Sequence, residues 1–554
     1  MSDYNDGAFD IRRFEMAKTA RAPYEARWQE IAERIFPRQS NTFFGNTLGA
    51  NGGNRNRKMV DVTGAKAIEK FVAICESIST PRMQRWHRLK ATNRDVQKDR
   101  SARLWFDEAT EVLFQKRYDN YSGFTDAQYQ SNASVGAFGT GYKFVEPSRE
   151  KHRKGLRYRC VPLGQGYIAL NYHGRPDTFF WPRELNARQF QQQFNKDSDF
   201  TPQAIINELT KVGGPDENKT FTIVHVVSPR SDFNPDRIDM KGMEWRGRYI
   251  FHQTKEIIRE EGFHTWPFPI GRYFSAPGEL YSRGPGDMAL GSIKLLNEEK
   301  YTTVKAGQRA VDPIYIAHDD GVADAFNATP GFVNPGGVTS DGKPLIQALQ
   351  TGRYDVAKDM MEMEQKNIED IFLNTLFQIL VDNPEMTAEQ FIGLMQEKGQ
   401  LLAPVAGRMF DYDLGPMIDR ELDCLGQQGL LPPMPGILKE AQGEYSIAYD
   451  SPLSRLQKAE ETSGFMRVTS WALNIAAQTK DPSKLDRFNF DAAIPEIADQ
   501  QAVPERWIRS DEELADLRQQ QQDANDTQTA IQAAPAAAQV VKAVTAAQGG
   551  ARGA

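Results

Sequence analysis

The first part of the chain spaces its apolar side chains as an amphipathic helix does. Large apolar residues recur every three or four positions in three segments: residues 24–37, 63–81 and 104–118. In the first of these, Tyr24, Trp28, Ile31 and Ile35 fall on one helical face. Because residues at these intervals lie on the same side of a helix, the pattern predicts three helices.

The pattern then changes to short segments rich in aromatic and β-branched residues. They are residues 142–147, 156–163, 166–172, 177–182, 221–229 and 247–253. Turn residues separate them, and a single helical pattern, residues 201–209, interrupts the series. We therefore predict an antiparallel sheet with one inserted helix. Strands and helices do not alternate regularly, so the predicted fold class is α+β and not a Rossmann-type fold.

Two long helical patterns follow, separated by a loop-rich stretch. In residues 286–311, Leu290, Ile293, Tyr301 and Val304 form one stripe. The second pattern covers residues 353–382 and ends before an Asn-Pro pair. At 1.5 Å per residue these helices are roughly 35–45 Å long. Two long helices that flank a small excursion, residues 312–352, predict a stalk with a tip.

The last part of the chain is predicted to be mainly helical. Helical patterns occupy residues 387–403, 415–432, 452–477 and 504–522, and a strand pattern occupies residues 444–449. Residues 516–554 are rich in Ala and Gln and have few large apolar side chains. A segment of this composition cannot bury a core, so we predict a tail that is disordered or forms a loosely packed helix.

Composition excludes some classes of function. The chain of 554 residues has 67 basic and 74 acidic side chains and a net charge of -7. A general nucleic-acid-binding protein needs a basic surface, which this balance does not favour. The three cysteines, Cys75, Cys160 and Cys424, are far apart, so they predict no zinc site and a reducing compartment.

Targeting signals are not apparent in the sequence. No apolar run is long enough to span a bilayer, and the polar, acidic first residues do not form a secretory signal. We therefore expect assembly in a cytoplasm and no membrane association.

One stretch imitates a nucleotide-binding motif. Residues 337–343 read G-x-x-x-x-G-K, as a P-loop does, but Pro344 replaces the Ser or Thr that holds magnesium. No core strand precedes the stretch, and the next helix begins some residues later. A loop at a hairpin tip explains these residues better. GAFGTG, residues 136–141, is an equally weak dinucleotide motif.

Other catalytic patterns are not found. HExxH and GxSxG do not occur, and no Cys/His pairing has a recognisable local context. We predict no catalytic residue, no bound cofactor and no metal site. The missing motifs are weak evidence for a protein that is not an enzyme, because an active site can be assembled from distant residues.

Several segments, in order, resemble the head-to-tail connector (portal) proteins of short-tailed bacteriophages. They are RWQEIAERIFP, VDVTGAKAIEKFVAICESISTPRMQRWHRLK, SVGAFGTGYKFVE, VPLGQGYIA, GELYSRGPGDMALGSIKLLNEEK, EKGQLLAPVAGRM and YDSPLSRLQKAEE. The resemblance covers about residues 20–510. No single motif is decisive, and the shared order carries the match.

The resemblance implies the architecture of a portal subunit. The implied parts are an α/β wing at residues 1–285, a first stem helix at 286–311, a small α/β clip at 312–352, a second stem helix at 353–382, a return to the wing at 383–450 with a tunnel loop near 398–411, and a helical crown at 451–515.

The resemblance also implies a function. Portal proteins form a ring of about twelve subunits at one capsid vertex. Double-stranded DNA passes through the central channel during packaging and ejection. The implied partners are the terminase large subunit, which binds transiently, tail or adaptor proteins, and capsid and scaffold proteins. The implied location is the virion, after assembly in the host cytoplasm.

Within this plan the sequence offers candidate site residues. Lys398 and Arg408 are candidates for rings of positive charge in the tunnel loop. Tyr315, Phe326, Phe332 and Lys343 are candidates for the clip interface. Each of these residues could equally be an ordinary surface or packing residue.

The second long helix carries a candidate channel wall. Its acidic residues outnumber its basic ones: Asp355, Asp359, Glu362, Glu364, Glu369 and Asp370 against Lys358 and Lys366. An acidic wall would let DNA slide, because each neutralised phosphate adds affinity. A solvated or intersubunit helix face explains the same charges equally well.

Two further hypotheses stay open at this point. The first is a nucleotide-dependent DNA-packaging enzyme, which the P-loop-like stretch would serve. The second is another oligomeric virion component, such as a tail adaptor. The residue after Lys343 disfavours the first, and the stalk-and-tip pattern disfavours the second.

Overall fold

The computed structural model describes most of the chain. The described residues are 7–37, 58–82, 84–148, 153–194, 200–211, 213–318, 326–327, 329, 331–349, 354–374, 404–441, 443–449, 452–479, 482–500, 503, 505–509 and 513–525.

Helices form at both ends of the described chain and between its sheets. They are α1 Gly7–Arg34, α2 Thr63–Ser79, α3 Arg94–Lys98, α4 Arg100–Arg117, α5 Phe124–Phe138, α6 Ala187–Gln193, α7 Gln203–Leu209, α8 Pro285–Val311, α9 Tyr354–Ile371, α10 Gly415–Gln427, α11 Gly436–Glu440, α12 Pro452–Thr479 and α13 Phe490–Gln500. Residues 404–409 and 513–525 are also helical, and a π-helical turn, Phe410–Leu414, leads into α10.

The strands are short and pair in antiparallel fashion wherever a pairing is described. They are β1 His87–Ala91, β2 Thr140–Pro147, β3 Leu156–Val161, β4 Tyr167–Leu170, β5 Pro176–Asn186, β6 Thr220–Pro229, β7 Trp245–Phe251, β8 Ile257–Phe263, β9 Ile270–Arg272, β10 Tyr315–Ala317, β11 Ile346–Ala348 and β12 Tyr445–Tyr449. The α+β prediction is confirmed.

Contacts divide the chain into two compact units. The first comprises Met1–Trp86, Val112–Leu431 and Ser451–Leu453, and the second comprises His87–Glu111, Pro432–Asp450 and Ser454–Ala554. Residues 87–111 thus belong to the second unit, although the sequence assigned them to the wing with the rest of residues 1–285. The assignment of wing, stem, clip and crown remains a prediction.

A five-stranded sheet in the order β4-β5-β6-β7-β8 forms one part of the first unit. Successive side chains of a strand point to opposite faces, so β6 serves two cores. Phe221 and Ile223 pack under α6 and α7, whereas Val224 and Val226 pack with Phe14 of α1. The inserted helix predicted at residues 201–209 is α7, and α6 was not predicted.

A second core surrounds the three-stranded sheet β3-β2-β9. Apolar side chains of α1, α2, α5, α8 and the end of α9 meet there, including Ile31, Phe71, Phe138, Ile293 and Phe372. This core holds the first half of α8 and the end of α9.

In the second unit, β1 pairs with β12, and Leu89 lies opposite Ile447. The Trp105 indole nitrogen donates to the Pro432 carbonyl at 3.0 Å, so Trp105 is a packing residue. Trp471 on α12, in contrast, is 76% exposed.

The second long helix ends earlier than predicted. The sequence extended it to residue 382, but α9 ends at Ile371. Leu373 takes a left-handed conformation with φ of 62°. The amides of Leu373 and Asn374 donate to the carbonyls of Asp370 and Glu369, which is a Schellman motif. Glycine usually occupies this position, so a leucine there does not predict the end of a helix.

The beginning of the tail was predicted to be disordered or loosely packed helix, and a helix was also predicted at residues 504–522. Residues 513–525 are helical, and Arg518 pairs with Asp491 at 2.6 Å. This ion pair fixes the helix beside α13. Residues 526–554 lie outside the described residues.

A fully buried ion pair joins α4 to α10 inside the first unit. Arg117 and Glu421 have no solvent exposure, and the Arg117 Nε donates to Glu421 at 3.0 Å. The Tyr158 hydroxyl donates to the same carboxylate, and the guanidinium lies 4.6 Å from the ring of Trp86. Trp86 is therefore a core residue.

We expect Glu421→Ala to lower the free energy of unfolding by about 3–5 kcal/mol, because Arg117 would stay buried without a counter-charge. Denaturant unfolding followed by circular dichroism measures the loss. The control Arg237→Ala removes an exposed pair with Asp239 in the same unit and should leave the midpoint unchanged. Equal effects of the two substitutions would contradict this prediction.

Candidate functional site: two long helices and the hairpin between them

The two long helices pack side by side. α8 begins with Pro285, a residue preorganised for a first helical turn, and its 27 residues extend about 40 Å. The Asn367 side chain of α9 donates to the Ser292 hydroxyl of α8 at 3.0 Å. The predicted bounds of this helix, 286–311, agree with the structure to one residue.

The first half of the α8 stripe is buried in the protein's own core. Leu290 and Ile293 pack there, and Asn297 continues the same face. The Asn297 side chain accepts hydrogen bonds from the amides of Val60 and Asp61 at 2.9 and 2.8 Å. These two bonds attach residues 60–61 to the middle of α8.

The second half of the same stripe is exposed. Tyr301, Val304 and Val311 continue the helical face of Ile293, and they are 50%, 51% and 89% exposed. Single exposed apolar residues are ordinary, but here they continue a core-facing stripe. The stripe is therefore longer than the core that covers it.

Further large apolar side chains are exposed on α9, on the hairpin and in the loop between them. They are Ile314, Tyr315, Ile316, Phe332, Val333, Val338, Leu349, Val356, Met360 and Met363. Exposed apolar side chains in this number favour a contact with another protein. Sequence reasoning missed Val311, Met360 and Met363, although continuing the helical period past Val304 would have found Val311.

Two carboxyl groups meet between the long helices. Both oxygens of Glu299 on α8 and one oxygen of Glu364 on α9 are buried, and in the described ranges they have no hydrogen-bond partner. Burial, together with the negative charge of Glu364, raises the pKa of Glu299. The pair weakens the contact between the helices whenever both groups are ionised.

The outer side of α9 carries most of its predicted acidic residues. Asp359, Glu362 and Asp370 are exposed, whereas Glu364 and Glu369 are partly buried. Two charges are paired: Lys358 lies 3.6 Å from Glu362, and Lys70 of α2 lies 2.9 Å from Glu369. The side chain of Asp355 lies outside the described residues.

The excursion between the helices contains a small hairpin. β10 pairs with β11, with Ile316 opposite Gln347. A second pairing places Val338 opposite Pro344 and is closed by a tight turn. The Gly342 amide donates to the Thr339 carbonyl at 3.0 Å, and Gly342 has φ of 76°.

This geometry removes the P-loop interpretation. The Lys343 amide donates to the Thr339 hydroxyl at 3.2 Å, and the Thr339 amide donates to the Lys343 carbonyl at 2.9 Å. Amides used in this way cannot cradle a phosphate, and a strand follows the motif where a P-loop needs a helix. The GAFGTG stretch likewise lies where a helix, α5, leads into a strand, β2, the reverse of the dinucleotide-binding order.

The four clip candidates do not form one cluster. The rings of Tyr315 and Phe326 lie 5.5 Å apart. Phe332 is exposed on the loop that precedes the turn, and Lys343 is exposed within the turn hairpin. The structure thus brings Tyr315 and Phe326 together.

The structure describes one of the two candidate residues of the tunnel loop. Lys398 lies outside the described residues. Arg408 is half-buried, and its guanidinium lies 5.8 Å from the ring of Tyr273. The segment that follows is fixed by a buried ion pair, in which Lys143 donates to Asp413 at 2.9 Å.

The described part of the chain contains neither a group of metal-binding side chains nor a reactive cysteine. No group of three or more His, Cys, Asp or Glu side chains there could hold a metal ion. Burial raises the pKa of Cys75, Cys160 and Cys424 to about 12, so the reactive thiolate is disfavoured. Among the same residues, no helix is long and apolar enough to cross a bilayer.

Comparison with known families identifies the class of protein. A family model described as "Bacteriophage head to tail connecting protein" matches residues 11–508. The chain belongs to this family. It is a bacteriophage head-to-tail connector and a component of the virion, located where the head joins the tail, and the sequence-based assignment is confirmed.

Two relatives match along nearly their whole length. The chain is 25% identical to the portal protein of Salmonella phage epsilon15 over 549 residues, which cover 97% of this chain and 94% of that protein. It is 23% identical to a probable portal protein of Bordetella phage BPP-1, covering 96% and 94% of the two chains.

Solved structures that resemble the chain come from gene transfer agent particles. A chain of the native virion matches with a TM-score of 0.33 and 9% identity, covering 74% of this chain and 85% of that chain. A chain of the neck of the native particle, computed with C12 symmetry, matches with a TM-score of 0.32 and 9% identity, covering 72% and 84%. TM-scores this low support no conclusion about the function of the chain.

We expect Glu299→Gln to stabilise the protein at neutral pH and to have little effect in acid. The pKa of Glu299 is raised on folding, so the native state holds this proton more tightly and stability falls as pH rises past the usual value of 4.5. The uncharged amide removes that loss.

Thermal unfolding at pH 4 and at pH 7.5 measures the difference between the variant and the wild type. The control is Glu298→Gln, which changes the neighbouring exposed carboxylate. A stabilisation by Glu299→Gln that is the same at both pH values would contradict the prediction.

Proposed function

We propose that copies of this chain form a ring of about twelve that serves as the portal of a bacteriophage head. The main support for the proposal is the exposed half of the α8 stripe, which consists of Tyr301, Val304 and Val311. Family membership and the names of the two relatives agree with it.

The stripe supports contact with a second copy. Burying one Val side chain contributes about 1.5–3 kcal/mol, and Tyr301, Val304 and Val311 extend over three turns of helix. A ring needs one face of each copy to meet a different face of the next. The exposed Val356, Met360 and Met363 of α9 provide such a different face, because they occupy positions i, i+4 and i+7.

We propose that double-stranded DNA passes through the centre of the ring during packaging and ejection. The exposed carboxylates Asp359, Glu362 and Asp370 on α9 support a wall of low affinity for DNA. Phosphates bind to neutralising cations, so an acidic wall lets the duplex slide. Repetition around the ring multiplies each charge by the number of copies.

The hairpin between α8 and α9 is proposed to bind other proteins at the end of the channel. It lies at the far end of two long helices, and Tyr315, Phe332 and Lys343 are exposed there. The terminase large subunit would bind it transiently, and tail or adaptor proteins would replace that motor. Capsid and scaffold proteins would bind elsewhere on the ring.

We also propose that the chain does not hydrolyse nucleotides and that the motor supplies the energy of packaging. The hydrogen bonds of residues 339–343 support this, because the turn uses its own amides. No described residue favours the alternative of a nucleotide-dependent packaging enzyme.

Val304→Asp tests the ring. The substitution would bury a carboxylate between copies, which costs several kcal/mol, so rings should fall at least about tenfold in abundance at a fixed protein concentration. Mass photometry counts rings and monomers. The matched control is Thr302→Asp, which places the same charge on the opposite, exposed face of α8. Rings that tolerate both substitutions equally would refute the proposed contact.

Lys343→Ala tests the proposed absence of nucleotide chemistry. We expect the purified wild type and the variant to form rings alike, and neither to release phosphate from ATP above the background. The measurement is a phosphate-release assay on gel-filtered rings. ATP hydrolysis that Lys343→Ala abolishes would restore the enzyme hypothesis.

A further inference from the structure

A cleft in the first unit lies between the three-stranded sheet and the five-stranded sheet. The residues that line it come from both sheets and from α6: Glu146 on β2, Arg159 on β3, Arg183 and Leu185 on β5, and Gln189, Gln192 and Gln193 on α6. The volume of the cleft is about 370 Å³. Ligand sites in proteins measure about 300–1,000 Å³, so this cleft is large enough to hold a side chain of another molecule.

The two arginines of the cleft lie against the same aromatic ring. The guanidinium of Arg159 is 5.2 Å from the centre of the Trp181 ring, and that of Arg183 is 4.8 Å from it. Trp181 is buried in the core around the three-stranded sheet, which fixes the ring. An arginine stacked on an aromatic ring stays charged and has little conformational freedom left to lose on binding. The cleft therefore holds two cations in set positions.

Two glutamine side chains of the cleft have their oxygens engaged within the protein. The Gln193 oxygen accepts a hydrogen bond from Arg183 at 2.8 Å. The Gln189 oxygen accepts from the backbone amide of Asn186 at 3.0 Å, as part of the capping box at the start of α6. Each glutamine also carries an NH₂ group, which can only donate. The lining is therefore richer in donors than in acceptors, and it favours a ligand that accepts hydrogen bonds.

The charges of the cleft favour a ligand with a single negative charge. Two arginines and one glutamate line it, and Glu146 pairs with Arg159 at 2.7 Å. Glu184, which is exposed, lies on the opposite face of β5 from Arg183, because successive side chains of a strand alternate. The lining side chains thus carry one positive charge in excess. An ionised carboxylate carries one negative charge, only accepts hydrogen bonds and matches the fork of an arginine.

We propose that this cleft binds a glutamate or aspartate side chain of a partner protein. The guanidinium of Arg183 is the main contact of the carboxylate, and the glutamine NH₂ groups provide further donors. Leu185 provides an apolar contact for the methylene groups of the bound side chain. All of these residues belong to one subunit, so the inference goes beyond the proposed function and does not depend on the ring.

A phosphate of duplex DNA also carries one negative charge, but the cleft suits it less well. DNA is bound through many cations that follow its backbone. Here the lining has one cation in excess, and the carboxylates of Glu146 and Glu184 lie close enough along their strands to repel further phosphates. The observations therefore favour a protein carboxylate over DNA.

Nuclear magnetic resonance of the Leu185 methyl groups in the full chain tests the proposal. The probe is the capped peptide acetyl-Gly-Glu-Gly-amide, and the control is its uncharged counterpart acetyl-Gly-Gln-Gly-amide. We expect the glutamate peptide to shift the Leu185 resonances, and the glutamine peptide to bind at least about tenfold more weakly.

Three results would overturn the proposal. They are equal shifts with both peptides, no shift with either peptide, and a shift that a short DNA duplex causes at lower concentration than the glutamate peptide. The last result would assign the cleft to phosphodiesters.

Arg183→Gln provides the second measurement. The substitution removes the excess charge and the fork, so we expect it to weaken binding of the glutamate peptide at least about tenfold. Arg183→Lys keeps the charge without the fork, and it should bind with intermediate affinity even if Arg183→Gln does not fold. The matched control Arg188→Gln changes an exposed arginine of α6 outside the cleft and should bind as the wild type does. Wild-type affinity in the folded Arg183 variants would contradict the proposal.

Discussion

The apolar stripe of α8 is the constraint on which the structure of α8, α9 and the hairpin between them depends. The stripe is buried at Leu290 and Ile293 and exposed at Tyr301, Val304 and Val311. A helix of about 40 Å is longer than the core that anchors its first half. Because exposed apolar surface is unfavourable in water, Tyr301, Val304 and Val311 favour contact with the surface of another protein. In the proposed ring, a neighbouring copy of the chain supplies that surface.

Charge complements this apolar framework. The outer side of α9 is acidic, and the contact between the helices contains Glu299 and Glu364, whose buried oxygens find no hydrogen-bond partner among the described residues. Buried carboxyl groups without partners are costly, so the helix pair is held by packing and by the bond from Asn367 to Ser292. The same region thus combines an apolar surface, which a neighbouring copy covers in the proposed ring, with an acidic surface, which faces DNA in the proposed channel.

Much of the fold could be predicted from the sequence because its elements are amphipathic. α8 was predicted to within one residue, and the predicted strands of the large sheet were found. α5 was missed because it is buried on nearly all sides and built from small and polar residues, which leaves no periodic contrast. The end of α9 was missed because its apolar period continues past Leu373, and only the left-handed backbone of that residue ends the helix.

The candidate site was predicted less completely. The G-x-x-x-x-G-K stretch was correctly assigned to a hairpin tip, since Pro344 and the missing strand are local features. The exposure of Val304 was not predictable, because it depends on which parts of the chain cover it. The roles of Lys343 and Arg408 remain predictions, and Lys398 lies outside the described residues.

The central claim is that another copy of the chain covers the exposed half of the α8 stripe. Cryo-electron microscopy of the purified wild-type protein, without nucleotide or partner, tests it most directly. The account predicts closed rings in which Val304 and Val311 lie at the contact between neighbouring copies. Monomers alone, or rings in which this face of α8 is open to solvent, would contradict it.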